Sequence, residues 1–231
     1  METVDLSKKE VVVNGLIEHA LSEVERRYGK GEGDGKTPKN YHNRVHTQDV
    51  IDAAEQIAQL ALEAGKIRAS DIPLIKIAAG FHDIEQDLGS GLNEEESARL
   101  VEKEMKKAGL FGEGDIQRVK TMILGTKVNF KDGIMEQSPT EDYLAQIVAD
   151  ADLSVLGQES NVFWRRAMGL LKEMKKTNSP SKEDEIAFAK GETLFLKNHR
   201  FYTQEANRLF PHKQENMEFT QKHIKSLEAT K

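Results

Sequence analysis

The run Pro73-Leu74-Ile75-Lys76-Ile77-Ala78-Ala79-Gly80-Phe81, followed directly by His82-Asp83, decides the fold. It is apolar almost all round, so a helix built from it has no wide face suited to water. Ser70 or Asp71 is placed to cap this helix, and the proline fits its first turn. The sequence therefore predicts a central, buried helix that delivers His82 and Asp83 at its inner end.

Helical periodicity recurs on both sides of this run, and no alternation with a period of two persists. We predict helices over residues 7–27, 43–64, 93–107, 113–127, 138–157, 164–176 and 183–210, followed by a helical tail from Gln214. The predicted fold class is all-α.

The composition restricts the class of protein. A chain of 231 residues suits one large domain, 1–231, and 38% apolar with 31% charged residues favours amphipathic helices. The net charge of −6 argues against nucleic-acid binding, which relies on Lys and Arg. The lack of cysteine excludes disulfides and thiolate metal sites. No signal peptide or membrane-spanning run is evident, so we expect a cytoplasmic protein without a membrane partner.

The segment from Gly29 to Pro38 is rich in glycine and contains Gly35-Lys36-Thr37. A phosphate loop needs a glycine five positions before the Gly-Lys pair, where this chain has Lys30, and it needs a preceding strand. We therefore predict a surface loop, which could act as a lid because it leads into the next histidines.

Two pairs of residues carry candidate chemistry. His42 and His46 are four apart, so on a helix they share one face, although such a pair is often a surface coincidence. His82 and Asp83 end the apolar helix, and burying both costs several kcal/mol unless they are paired or bind a cation. The alternative is a helix end that reaches solvent.

Asp150 and Asp152 interrupt another apolar helix. Residues two apart on a helix point in nearly opposite directions, so at most one of these carboxylates faces the interior, and the spacing leaves both open. Imidazoles and carboxylates together suit Mn²⁺, Fe²⁺, Co²⁺, Ni²⁺ or Zn²⁺ better than Mg²⁺ alone.

These residues resemble the H…HD…D pattern of the HD-domain metal-dependent phosphohydrolases. The segment from Tyr41 to Val50 is similar to the Y-H-N-x-x-H-x-x-D-V signature of cyclic-nucleotide phosphodiesterases, one branch of that superfamily. Ala151-Asp152-Leu153-Ser154 resembles the segment with their last metal aspartate, and residues 93–98 resemble the N-E-x-x-S-A segment of small predicted HD phosphohydrolases. The resemblance covers residues from about Asn40 to Gly157.

The resemblance implies an HD-domain helical bundle, with a core over about 40–157 and additional C-terminal helices over 158–231. It implies His42 as the general acid that protonates the leaving alkoxide, and Asp83 as a catalytic residue as well as a metal ligand. The implied ligands of a divalent ion are His46, His82, Asp83 and Asp152.

This chain also departs from the family pattern. Phosphodiesterases continue H-D-x-D-H, whereas Gln86 stands here in place of the second histidine. Related small proteins have a histidine soon after the threonine that is Thr126 here, and this chain has none there. We therefore expect one metal ion per chain. The glutamine that grips the purine has no counterpart, so cyclic-nucleotide specificity is not supported.

Three further residues are candidate substrate groups. Lys127 and Arg44 could contact phosphate, although single basic residues on helices are usually solvated. Glu94 could orient a ligand or water, and an ordinary first-turn carboxylate explains it equally well.

The function expected is hydrolysis of a small phosphomonoester or phosphodiester, with a nucleotide as the candidate substrate, by metal-activated water and a histidine general acid. The first alternative is a non-catalytic sensor of nucleotide or metal. The second is a helical scaffold that binds partners through the charged helices from Glu183 onward. No nucleic-acid partner is expected, and a homodimer is compatible with the sequence.

Overall fold

The computed structural model of the protein describes residues 2–29, 38–89, 91–131, 134–137 and 141–229. Most of the glycine-rich segment, residues 30–37, lies outside this part, and so does the prediction that it forms a surface loop or lid. The described α-helices are α1 (Glu2–Tyr28), α2 (Arg44–Glu63), α3 (Ile72–Phe81), α4 (Leu92–Ala108), α5 (Glu113–Leu124), α6 (Tyr143–Asp152), α7 (Ser160–Lys175), α8 (Lys182–Asn198), α9 (Gln204–Leu209) and α10 (Lys213–Ala229). Two 3₁₀ turns are Ala69–Asp71 and Ser154–Gly157.

Helix α3 is the centre of the fold. Leu74 and every residue of this helix from Ile77 to Phe81 are buried, and α3 packs against α1, α2, α4, α5 and α6. The prediction of a central, buried helix is confirmed. A helix that is apolar all round is stable only where other elements bury its whole surface. Here those elements are helices, and they surround the end that carries His82.

The all-α class is confirmed, with one short hairpin added to it. Strands β1 (Val128–Lys131) and β2 (Ile134–Gln137) pair antiparallel, with Val128 opposite Gln137. The predicted helices on either side of the hairpin were too long, because α5 ends at Leu124 and α6 begins at Tyr143. Asp142 sets the second boundary, since its side chain accepts hydrogen bonds from the first free N–H groups of α6.

The predicted helix over residues 183–210 was also wrong as a single element. It divides into α8 and α9, and the carboxylate of Asp150 occupies the break. Asp150 accepts hydrogen bonds from Tyr202 N at 2.8 Å, Thr203 N at 2.8 Å and Thr203 Oγ1 at 2.7 Å. These hydrogen bonds take the place of the backbone hydrogen bonds that a continuous helix would make here. The side chain of Thr203 then caps α9.

The C-terminal helices form a second, smaller hydrophobic cluster. Its buried members are Leu156, Phe163, Ala167, Phe195 and Leu196. Helix α7 also packs against the segment before α2, where a Cβ at Gly169 would lie 2.8 Å from the carbonyl oxygen of Asn40. Among the described residues, no helix is both long and apolar enough to cross a membrane.

Candidate metal centre

Three helices bring the four predicted ligands together. His46 lies in the first turn of α2, His82 and Asp83 follow the last residue of α3, and Asp152 ends α6. One ligand atom from each of the four lies within 4.8 Å of all the others. Both histidines are buried, and only 12% and 15% of the Asp83 and Asp152 side chains is exposed. The cluster could hold a metal ion.

The nitrogens that face this cluster lack hydrogen-bond partners. His46 Nε2 lies 3.3 Å from Asp83 Oδ2 and 3.4 Å from Asp152 Oδ1, and His82 Nε2 lies 3.1 and 3.5 Å from the same oxygens. These contacts are within ion-pair distance but lack hydrogen-bond geometry, so neither buried nitrogen has a hydrogen-bond partner in the part of the chain described. An unsatisfied buried polar atom costs about 1–3 kcal/mol. A cation shared by these nitrogens and oxygens would remove that cost, so the residues fit a metal ion.

The other nitrogen of His82 fixes the state of its ring. Its Nδ1 lies 2.7 Å from the carbonyl oxygen of Ala79, one turn back in α3. A carbonyl oxygen can only accept, so Nδ1 carries a proton and donates it. In the neutral imidazole, Nε2 therefore presents its lone pair to the cluster, as a metal ligand must.

Glutamine amides hold the outer oxygens of both carboxylates. Gln86 Nε2 donates to Asp83 Oδ1 at 2.6 Å, and Gln137 Nε2 donates to Asp152 Oδ2 at 2.7 Å. Each carboxylate therefore keeps one inner oxygen for a cation. Gln137, which strand β2 supplies, was not among the predicted site residues. The Asp132-Gly133 pair, between Val128-Asn129-Phe130-Lys131 and Ile134-Met135-Glu136-Gln137, was a hairpin signal that could have located it.

The cluster requires positive charge. Burial would raise the pKa of both carboxyl groups, yet the histidines lower the pKa of Asp152 to about 2 and that of Asp83 well below its usual range. Burial would lower the pKa of the imidazoles, yet the carboxylates raise that of His46 and raise that of His82 well above its usual value. The cluster therefore favours ionised carboxylates, and positive charge on the imidazoles or on a metal ion would compensate them.

The structure separates the two aspartates that the spacing left open. Asp152 faces His46 and His82, whereas Asp150 points the other way and binds the backbone between α8 and α9. Burial raises the pKa of Asp150 to about 6, against the effect of its three hydrogen-bond donors. Asp150 accepts hydrogen bonds at the break between α8 and α9 and is not in the cluster.

His42 lies beside the cluster and is held by a residue of α7. Its Nδ1 is 2.6 Å from Glu173 Oε1, while the backbone N–H groups of Tyr41 and His42 donate to Glu173 Oε2 at 3.0 and 3.1 Å. Burial would raise the pKa of Glu173, but these donors lower it to about 2, so Glu173 is ionised. Glu173 lies outside the segment that resembles the HD family, and nothing in the sequence singled it out.

The shared helix face proposed for His42 and His46 was wrong. Asn43, in extended conformation at φ −139° and ψ 179°, caps α2, so His42 precedes the helix. The rings nevertheless meet edge to face, with centroids 5.8 Å apart. The capping residue turns the chain so that His42 reaches Glu173 while His46 enters the cluster.

The three candidate substrate residues have different positions. Arg44 Nη2 is 3.6 Å from Glu18 Oε2 at the surface of α1 and α2. Glu94 accepts from Gly91 N at 2.9 Å, and its pKa is raised by burial and then by the charge of Asp83.

Lys127 Nζ is 3.9 Å from Glu95 Oε1. The Lys127 stem lies over Gly91, where a Cβ would be 2.6 Å from the lysine Cε. Glu94 thus lies close enough to Asp83 for their charges to interact, Lys127 lies near Glu94 and Glu95, and Arg44 pairs with Glu18 of α1.

No protein-family model matches this sequence, and no curated protein matches it significantly. The helical fold and its His/Asp cluster are compatible with an HD-type fold.

Proposed function

We propose that the protein is a metal-dependent phosphohydrolase of the HD type, and that the cluster holds one divalent ion. The observation that supports this most strongly is the pair of buried Nε2 atoms of His46 and His82, which have no hydrogen-bond partner among the described residues and face two carboxylates with lowered pKa values. Two nitrogen and two oxygen ligands favour Mn²⁺, Fe²⁺, Co²⁺, Ni²⁺ or Zn²⁺ over Mg²⁺.

The proposed reaction is hydrolysis of a small phosphate ester, with a nucleotide as the candidate. A divalent ion lowers the pKa of water and neutralises the charge that develops on a phosphoryl oxygen. Glu173 accepts a hydrogen bond from His42 Nδ1 and so leaves Nε2 to carry the proton for the leaving alkoxide. Gln86 and Gln137 keep the inner oxygens of Asp83 and Asp152 directed at the ion.

A phosphate-release screen over nucleotides tests this function, with Mn²⁺, Co²⁺, Ni²⁺ or Zn²⁺ added to the purified protein. The variant His82→Ala should lose both metal and turnover. His42→Ala should keep its metal and lose about 10²–10⁴-fold in turnover, the usual contribution of a general acid. Full phosphatase activity in metal-stripped His82→Ala protein would falsify the proposal.

A nucleotide or metal sensor remains the second candidate because of Gln86. This residue stands where the phosphodiesterase pattern has a second metal histidine, and its amide binds the outer oxygen of Asp83. Tight binding of a nucleotide without phosphate release, under every metal tested, would favour the sensor over the enzyme.

A further inference from the structure

A cavity of about 920 Å³ borders the candidate centre, between the end of α7, the segment before α2 and the turn after α3. One residue of its wall contacts the centre, and another contacts His42 beside it. Gln86 donates to Asp83 Oδ1, and Glu173 accepts from His42. One side chain therefore separates the cavity from a proposed metal ligand, and one separates it from the proposed acid. Its volume is that of a pocket for a small organic ligand.

Three lysines line this cavity, and two of them have no ion-pair partner among the described residues. Lys39 is engaged, with its Nζ 3.1 Å from the carbonyl oxygen of Gln86 and 3.4 Å from Asp87 Oδ1. Within the described part of the chain, Lys172 and Lys176 have no ion pair or side-chain hydrogen bond. They lie four residues apart at the end of α7, and both line the cavity.

The backbone at Lys176 is unfavourable for a lysine. It caps α7 in the left-handed conformation, at φ 51° and ψ 40°, which glycine adopts readily and other residues adopt at about 1–2 kcal/mol. The favourable interaction of the lysine charge with the helix C-terminus offsets only about 0.3–1 kcal/mol of this cost. Local stability therefore does not account for a lysine at this position.

We propose that the cavity binds the part of the substrate beyond the scissile phosphate, and that Lys172 and Lys176 hold a second phosphate group there. This assignment of the substrate class, a compound with at least two phosphate groups, rests on the proposed function. Lysine binds phosphate as a mobile point charge, and two ammonium groups that line one cavity match the charge of one phosphate.

Calorimetric binding of inorganic pyrophosphate to the full-length protein tests the proposal without requiring turnover. Lys172→Ala and Lys176→Gly should each weaken binding about tenfold, the loss expected for one charge-assisted contact. Lys176→Gly should at the same time keep or raise the melting temperature, because glycine suits the left-handed backbone.

Lys175→Ala is the matched control. It removes the same charge one residue away, from a lysine that pairs with Asp184 at 2.5 Å and does not line the cavity. Binding should be unchanged in this variant. Equal weakening in the control, unchanged binding in both test variants, or no binding to the wild type would overturn the proposal. Calorimetry measures binding and not phosphate release, so the outcome of this experiment does not depend on whether the proposed hydrolysis occurs.

Discussion

At the scale of single residues, the centre depends on amides that are not ligands. Gln86 and Gln137 occupy the outer oxygens of Asp83 and Asp152, so each carboxylate is held in one orientation. Outer-shell hydrogen bonds of this kind tune metal affinity because they fix the ligand before the ion binds.

Gln137→Ala should weaken metal binding about 10–100-fold, because Asp152 Oδ2 loses its donor and the carboxylate is free to rotate. The measurement is a competition titration with a metal-sensitive dye. Gln214→Ala is the control, since Gln214 is exposed and donates a hydrogen bond to Glu218, one turn on in α10. An unchanged affinity in Gln137→Ala would contradict this role.

Glu173→Gln should preserve metal content and lower turnover by about 10²-fold or more, because His42 loses the carboxylate that fixes its ring. The measurement pairs the rate of phosphate release with elemental analysis of the same preparation. Loss of metal in this variant would place Glu173 in support of the cluster instead, and an unchanged rate would remove it from the site.

At the scale of elements, the contact between α7 and the segment before α2 positions the proposed acid. Gly169 and Glu173 are one turn apart on α7, and both meet residues 40–42: the glycine allows the close approach of Asn40, and the glutamate binds His42. The lack of a side chain at Gly169 thus brings the acid to its partner.

Gly169→Ala should destabilise the protein by about 1–3 kcal/mol, because the new Cβ would lie 2.8 Å from a backbone oxygen. The better helix propensity of alanine would return only about 1 kcal/mol. Gly191→Ala, in α8 with nothing within 4 Å of its new Cβ, is the control and should stabilise by about 0.5–1 kcal/mol. Urea unfolding measures the free energy of unfolding of both variants. Equal stabilisation in the two would contradict the prediction, because it would show that the Asn40 backbone moves away from the new Cβ without cost.

The elements differ in how far the sequence predicted them. Helix α3 was predictable because its near-uniform apolar composition leaves no alternative to burial. The break between α8 and α9 was not, because the donors there are satisfied by Asp150, about 50 residues earlier in the chain. Strands of four residues are likewise too short to show an alternating pattern.

At the scale of the whole molecule, the cluster connects stability to pH and metal. Because the pKa values of His46 and His82 are raised in the folded state, protonation of their imidazoles stabilises the metal-free fold. This contribution is complete below about pH 6.5, the pKa of an unfolded histidine. This contribution is lost as the pH rises through the higher folded values. The lowered pKa of Asp152, about 2, contributes above about pH 4 and is lost in acid.

The melting temperature of the metal-free protein should therefore fall as the pH is raised above about 6.5, since the carboxylates lose their compensating protons. Added Ni²⁺ or Zn²⁺ should raise it most at high pH, because metal displaces protons from both imidazoles. Scanning calorimetry from pH 5 to 9, with and without metal, measures this difference. A metal-induced shift that is largest at low pH would contradict the assignment.

The ligands of the candidate site could be predicted from the sequence, but the residues that hold them in place could not. The resemblance named His46, His82, Asp83 and Asp152, and the helices bring all four together. Glu173 was missed, because an isolated glutamate on a charged helix has no pattern and only the folded chain places it at His42.

Elemental analysis of the purified protein tests the central claim most directly. The wild type should carry one transition-metal ion per chain. His82→Ala should carry none, and His42→Ala should carry as much as the wild type, because its ring is held by Glu173 outside the cluster. A wild type that takes up no divalent ion after reconstitution, or a His82→Ala variant that retains a full complement, would contradict the account.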